Sequence, residues 1–298
     1  MRRKALSVSF CEFFKKLLKP LGYLAILGLL GACRTLSPAG EAPVEPKEPG
    51  RQVFWQVKEE GLLFSLWEDP QVPQRIFLIR ADLDKWEPIF TRPQDPAENR
   101  YLYPGVTVTR FLRETQTQAA VNGGPFFPYR NFPREGMDTT GLVIWNRRIL
   151  SEPRPGWSAL AILPGGGLVI GFQEDLMEAE YALGGFQKLL EEGEVRDLSP
   201  SPRRPRTVLG LDREGRTLWL MVADGDNPRY SRGLTTRECA AWLKALGAWE
   251  GMNLDGGGSS AMAFRDGRGR PRLMNRPPRF LGQRERIVAN HLGLRRRN

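Results

Sequence analysis

The chain has 298 residues, a formal net charge of +10 and 41% hydrophobic residues, enough for one large domain or two small ones. Three cysteines and one histidine are too few for a disulfide-stapled scaffold or a Cys/His zinc site. The positive balance suits a protein with affinity for anions, but no nucleic-acid-binding motif interleaves aromatic and basic residues.

The chain opens on six basic residues (Arg2, Arg3, Lys4, Lys15, Lys16, Lys19) against one acid, Glu12. The apolar run from Leu21 to Gly31 is too short to span a bilayer as a stable helix. Leu30-Gly31-Ala32 then places small residues directly before Cys33. This is the pattern of a secretory signal, similar to a bacterial lipoprotein signal over residues 1–32 that is cleaved before a lipid-bearing Cys33. The alternative is an uncleaved single-span anchor. Either way the body is expected outside the cytoplasm, lipid-anchored to the cell envelope in the first case. Setting aside residues 1–32 lowers the net charge to +5. Residues 33–50 contain Pro38, Pro43, Pro46 and Pro49 and bury little, so they read as an extended tether. Residues 51–298 read as one catalytic domain, because the Pro-rich stretch 198–205 is short enough to be an internal loop.

Within the body, Val53 to Leu66 and Gln74 to Leu83 have strand patterns. Thr109 to Gln118 predicts a short helix feeding the strand Ala119 to Val121. Gly141 to Trp145, a turn at Asn146-Arg147-Arg148, and Ile149-Leu150 follow as strand, turn and strand. Ala159 to Leu163 and Leu168 to Phe172 form a hairpin around Gly165-Gly166-Gly167. Thr207 to Asp212 and Thr217 to Asp224 form another. The helix Thr236 to Leu246 puts Cys239, Trp242, Leu243 and Leu246 on one buried stripe, and Gly247 caps it. Cys239 therefore reads as a buried inert thiol rather than the partner of His291 in a nucleophilic pair. His291 lies on a terminal strand and reads as structural. The class is α+β: a mixed, largely antiparallel sheet core with a few packed helices.

Several strand-like runs end in glycines. The most informative is Asn253-Leu254-Asp255-Gly256-Gly257-Gly258-Ser259-Ser260. Three consecutive glycines are costly to order, so they imply positive φ or a close approach to backbone N–H groups. The triplet at 165–167 has no acid or hydroxyl beside it and reads as a turn alone. Asn122-Gly123-Gly124 and Ala182-Leu183-Gly184-Gly185 are similar junctions. Arg204-Pro205-Arg206-Thr207 precedes a strand, Asp224-Gly225 closes one, and Asn275-Arg276-Pro277 and Glu285-Arg286-Ile287-Val288-Ala289-Asn290 come late. In this order the set resembles the phosphodiester glycosidase family, over roughly Arg80 to Leu294. Pro125 departs from the pattern, where an aromatic is expected directly after the glycines.

The resemblance implies hydrolysis of a sugar-1-phosphodiester at the anomeric C–O bond, giving free sugar and a phosphomonoester, without a cofactor or metal. The substrate would be an envelope or secreted polysaccharide. A carboxylate must activate water or attack the anomeric carbon, and donors must hold the phosphate. Asp255 is the first choice for the carboxylate; its other reading is a cap on the glycine turn. Asp224 is a second acid. Glu238 fits the family pattern, but Thr235-Thr236-Arg237-Glu238 also has the form of a capping box. Gly256, Gly257, Gly258 and Ser259 would offer N–H and hydroxyl donors, as would Gly123 and Gly124. Arg206, then Arg204, would clamp the phosphate; Asn122 and Thr207 would bind phosphate or sugar hydroxyls. Two other classes compete: a phosphodiesterase cutting P–O with a divalent cation on Asp224, Asp226 and Asp255, and a non-catalytic glycan-binding lipoprotein.

Overall fold

A computed structural model describes residues 53–297, apart from 70, 279–281 and 283. The signal, Cys33 and the whole tether fall outside the described residues. Strand pairing dominates the body. Gly61, at φ +75°, turns β1 (Gln56–Glu59) into β2 (Leu62–Asp69). β3 (Gln74–Asp82) continues the meander, followed by β4 (Trp86–Phe90). The helix α1 (Val108–Thr115) is capped by the Thr107 hydroxyl, which accepts from the Arg110 N–H. It ends earlier than its sequence pattern predicts, because Gln116 adopts φ 55°.

After α1 come β5 (Ala119–Asn122), the short strands β6 (Phe126–Phe127) and β7 (Asp138–Thr139), and β8 (Val143–Trp145) with β9 (Arg148–Ser151). β10 (Trp157–Ile162) and β11 (Leu168–Phe172) are the expected hairpin, with Gly165 and Gly166 at φ +98° and +94° in the turn. β12 (Tyr181–Glu191) is far longer than its sequence signal and pairs with β13 (Glu194–Val195). β14 (Arg206–Leu211) and β15 (Thr217–Ala223) form the second hairpin, whose turn N–H groups at Arg216 and Thr217 donate to Asp212 Oδ1. α2 (Thr236–Ala245), β16 (Glu250–Asn253), β17 (Met262–Arg265), β18 (Pro271–Leu273) and β19 (His291–Arg296) complete the chain.

These strands make a twelve-stranded sheet, with the path β1-β2-β3-β15-β14-β16-β12-β10-β11, and a five-stranded sheet ordered β18-β17-β5-β19-β4. Alternation along the strands sorts their side chains into layers. Leu62, Phe64, Phe77, Ile79, Leu209, Leu220 and Val222 of the large sheet meet Val121, Met262, Phe264, Leu292 and Leu294 of the small one. Phe64 and Phe264 meet edge to face, 5.5 Å between centroids. The other face of the large sheet, with Ile76, Leu78, Val208 and Met221, is covered by Cys239, Ala240, Trp242 and Leu243 of α2. Ala120 and Ala263, on the outer face of the small sheet, are covered by Val108, Phe111 and Leu112 of α1. The result is a helix–sheet–sheet–helix sandwich, a single α+β domain.

Cys239 and His291 occupy different layers of this sandwich. Burial pushes the Cys239 thiol up to about 12, far from a reactive thiolate. His291 is fully buried, stacks on Phe111 at 4.6 Å and is held neutral, its pKa depressed to about 3 by desolvation. No nucleophilic pair exists between them.

Candidate active site

The ends of β5, β15 and β16 and the starts of β14, β17 and β19 converge at one end of the sandwich. Asn122, the last residue of β5, ties them together. Its Oδ1 accepts from Thr207 Oγ1 at 2.7 Å and from the Ala261 N–H at 3.2 Å. Its Nδ2 donates to the carbonyls of Asp255, at 2.8 Å, and Gly123, at 3.2 Å. Asn122 and Thr207 are both fully buried and turn toward each other, not toward solvent. The Asp255 N–H donates to Gly123 O, which completes the junction.

Glycines at this junction allow backbones to touch. A Cβ on Gly124 would lie 1.8 Å from the Gly184 carbonyl oxygen, and one on Gly185 2.6 Å from that of Asn253. Gly123 and Gly124 spend their N–H groups on the carbonyl and side-chain oxygens of Asn290. Those two donors are therefore used inside the protein.

The turn after Asp255 is a single 3-10 turn over Gly257–Ser259, with Gly257 at φ +60°. The Gly256 N–H donates to Asp255 Oδ1, the Gly257 N–H to Pro205 O, the Ser259 N–H to Gly256 O and the Ser260 N–H to Gly257 O. None of these bonds uses the Gly258 N–H. A Cβ on Gly258 would stand 2.7 Å from Nη2 of Arg286, so the glycine exists because a guanidinium rests on it. Arg286 Nη1 also donates to Ser259 Oγ at 3.3 Å, and its Cζ lies 5.5 Å from the centroid of the Tyr129 ring.

Asp255 remains partly open to solvent while surrounded by protein. Desolvation raises its pKa above the ordinary value; bonds from the Ser259 hydroxyl and Gly256 N–H, and the charge of Arg286, act in the opposite direction. The site thus presents a carboxylate, a hydroxyl, a guanidinium and one uncommitted N–H around one turn.

The sequence pattern assigns the phosphate clamp to Arg206 and Arg204 and gives Arg286 no role of its own. Its place depends on Glu285, whose carboxylate accepts from the N–H and hydroxyl of Thr109 at the start of α1, at 2.9 and 2.6 Å. The sequence signal is the run Glu285-Arg286-Ile287-Val288-Ala289-Asn290, which belongs to the set that carries the family resemblance but does not by itself point to phosphate.

The other candidates lie around this centre in different states. Asp224 is fully buried; it accepts from Asn275 Nδ2 at 2.8 Å, from the Arg276 N–H and from Tyr230 Oη at 3.1 Å. Burial raises its pKa against those bonds. Asn275 also donates to Ser260 O, linking Asp224 to the glycine turn. Arg206 donates to the carbonyls of Leu234 and Pro202, and burial lowers its pKa. Arg204 is exposed and faces Asp226 at 3.4 Å. Glu238 completes the capping box of α2 with Thr235 and pairs with Arg203. Among the described residues, no three His, Cys, Asp or Glu side chains gather as a metal site. A cleft of about 550 Å³ at the edge between the sheets, lined by Trp145 and Tyr181, shares no residue with this centre.

The chain matches the phosphodiester glycosidase family over residues 115–295. No curated protein matches it. A hypothetical protein from Synechocystis is similar in structure, with TM-score 0.60 and 14% identity over 83% of this chain; the match spans only 64% of that longer chain. The catalytic domain of zebrafish N-acetylglucosamine-1-phosphodiester alpha-N-acetylglucosaminidase, auto-inhibited by its pro-peptide, is similar with TM-score 0.56 and 18% identity, over 83% of this chain and 88% of that one. At such identities these likenesses establish the fold alone.

Proposed function

The chain belongs to the phosphodiester glycosidase family, and from that premise we propose that it hydrolyses a sugar-1-phosphodiester at the anomeric C–O bond. The observation that carries the proposal is the single turn on which Asp255, Ser259, the Gly258 N–H and the Arg286 guanidinium meet. A phosphodiester needs a cation and N–H donors on its oxygens, and a carboxylate near the anomeric carbon.

In the proposed reaction Arg286 and the Gly258 N–H hold the phosphate. Asp255 assists either by taking a proton from attacking water or by attacking the anomeric carbon itself. The bond between that carbon and the phosphate oxygen breaks, and its electron pair leaves with the phosphate. Water supplies the new hydroxyl of the free sugar, and its remaining proton goes to the medium. Asn122, Thr207 and Asp224 are assigned positioning roles, because their polar atoms are buried and bonded inside the protein. Arg206 and Arg204 stand at the rim, where Arg206 fixes the Pro202 and Leu234 loops. Glu238 is assigned to the α2 cap. The P–O-cutting alternative is disfavoured by its own ligands, since Asp224 is occupied by Asn275, Arg276 and Tyr230, and Asp226 faces Arg204.

The natural substrate is proposed to be a glycan phosphodiester of the cell envelope or of a secreted polysaccharide, reached by a protein tethered through a lipid on Cys33. The test is turnover of a panel of methyl sugar-1-phosphodiesters, including N-acetylglucosamine, with and without chelator. The parent should release free sugar with or without chelator, and Asp255→Asn should lose at least 10³-fold, on the order expected for a catalytic carboxylate. Full activity in Asp255→Asn would overturn the assignment.

A further inference from the structure

Eight large apolar side chains stand exposed among the described residues, and three of them are close in sequence: Phe127 at the end of β6, and Tyr129 and Phe132 in the loop after it. Phe127 is 68% and Tyr129 60% exposed. Rings so open to water cost free energy unless something covers them.

The loop is not a floppy excursion that happens to expose them. Arg130 donates from Nε to Gly136 O and from Nη2 to Tyr101 Oη, both at 3.1 Å. The Glu135 carboxylate accepts from the N–H groups of Asn131 and Phe132, at 3.3 and 3.1 Å. Phe126, buried beneath, meets the Tyr129 ring edge-on at 5.3 Å, and Phe127 meets it edge-on at 6.5 Å. Internal bonds thus hold two rings outward in a fixed arrangement.

That arrangement adjoins the centre described above through one residue. The Arg286 guanidinium rests on Gly258, bonds Ser259, and lies 5.5 Å from the Tyr129 ring centroid. A phosphate held by Arg286, with its sugar carbon toward Asp255, has its other ester oxygen free to extend over Tyr129. We infer that Phe127 and Tyr129 form a stacking platform for a pyranose ring on the alcohol side of the phosphodiester, and so select a glycan leaving group over a small alcohol. A pyranose ring offers an apolar C–H face to such rings and hydroxyl edges to water, which suits a platform open on one side. This inference rests on the proposed phosphodiester cleavage.

The experiment compares the parent with the Phe127→Ala/Tyr129→Ala double variant on two substrates carrying the same sugar-1-phosphate. One is the methyl ester, and the other is esterified to the primary hydroxyl of a methyl hexopyranoside. The parent should favour the second in kcat/KM by roughly tenfold, the scale of one ring stack. In the double variant the ratio between the two substrates should fall to about one, and Tyr129→Phe should keep it. An unchanged ratio in the double variant overturns the platform. If the parent turns over neither ester, the proposed cleavage fails instead. The platform is then read from calorimetric titration with hexose 6-phosphate. Binding about tenfold weaker in the double variant supports it; equal binding, or none by the parent, overturns it.

Discussion

A Gly258→Ala substitution would set a Cβ 2.7 Å from Nη2 of Arg286 and 2.8 Å from its Cζ. Ordinary contact needs about 3.5 Å, so the guanidinium must retreat by roughly 1 Å. Its bond to Ser259 Oγ is already 3.3 Å long and would not survive that shift. Losing a charged hydrogen bond costs about 1.5–3 kcal/mol, or roughly 10- to 150-fold in rate. A misplacement of about 1 Å at a reacting centre independently suggests on the order of 10²-fold. The expected result is a kcat/KM about 10²-fold below the parent on a sugar-1-phosphodiester. The melting temperature should move by only a few degrees, because the atoms met are the far end of a flexible side chain. Gly124→Ala supplies the contrast, since its Cβ would strike the Gly184 carbonyl oxygen at 1.8 Å and backbone cannot swing aside. That variant should lose roughly 1–3 kcal/mol or more of stability in urea titration. Parental activity in Gly258→Ala would refute the view that Arg286 acts from its seat on the glycine turn.

Arg286→Gln removes the cation that opposes the burial of Asp255. The acidic limb of its kcat/KM profile should therefore lie at higher pH than the parent's, which itself lies above the ordinary carboxylate value; an unmoved limb would separate the two residues. Thr207→Val deletes the buried donor to Asn122 Oδ1 while Ala261 N–H still reaches that oxygen, so stability should fall by about 1 kcal/mol with the fold intact by circular dichroism. His291 has a folded pKa near 3 against 6.5 for the free group, so the unfolded chain takes up the proton first as pH falls. Its contribution is complete above 6.5 and shrinks down to about 3, by about 2 kcal/mol at pH 5. His291→Gln should lose correspondingly less stability between pH 7 and pH 5 in denaturant titrations, and equal losses in both chains would contradict the buried neutral imidazole. The proposed lipid on Cys33 predicts that Cys33→Ser shifts the protein from the membrane to the soluble fraction of expressing cells, and an unchanged distribution would contradict that anchor.

Local chemistry made much of this molecule readable in advance. The capping box at Thr235 and Glu238, the Cys239–Trp242–Leu243 stripe and the hairpin around Asp212 depend on neighbours in sequence, and each stands where its pattern points. Asp255 and its glycines were conspicuous because Gly-Gly-Gly beside an acid has few reasons to exist. The triplet at 165–167 shows the contrast, since added Cβ atoms there would meet nothing within 4 Å. What stayed hidden depends on tertiary approach. Arg286 is 27 residues from Ser259, and no periodicity links them. Asn122, Thr207 and Asp224 resemble exposed binding groups as sequence, because polar residues at strand ends usually face water. Here three converging strand ends bury them, and their bonds go to one another's loops. Short strands such as β17 and β18 carry too few residues for an alternating signal, and β12 is broken in sequence by Gly184 and Gly185.

Cleavage at the anomeric carbon is tested most directly with water enriched in heavy oxygen. The protein is incubated in it with a sugar-1-phosphodiester, and both products are weighed by mass spectrometry. The label should enter the free sugar and not the phosphomonoester, and Asp255→Asn should yield neither product at a comparable rate. Label in the phosphate would mean attack at phosphorus, and would contradict the role given to Asp255.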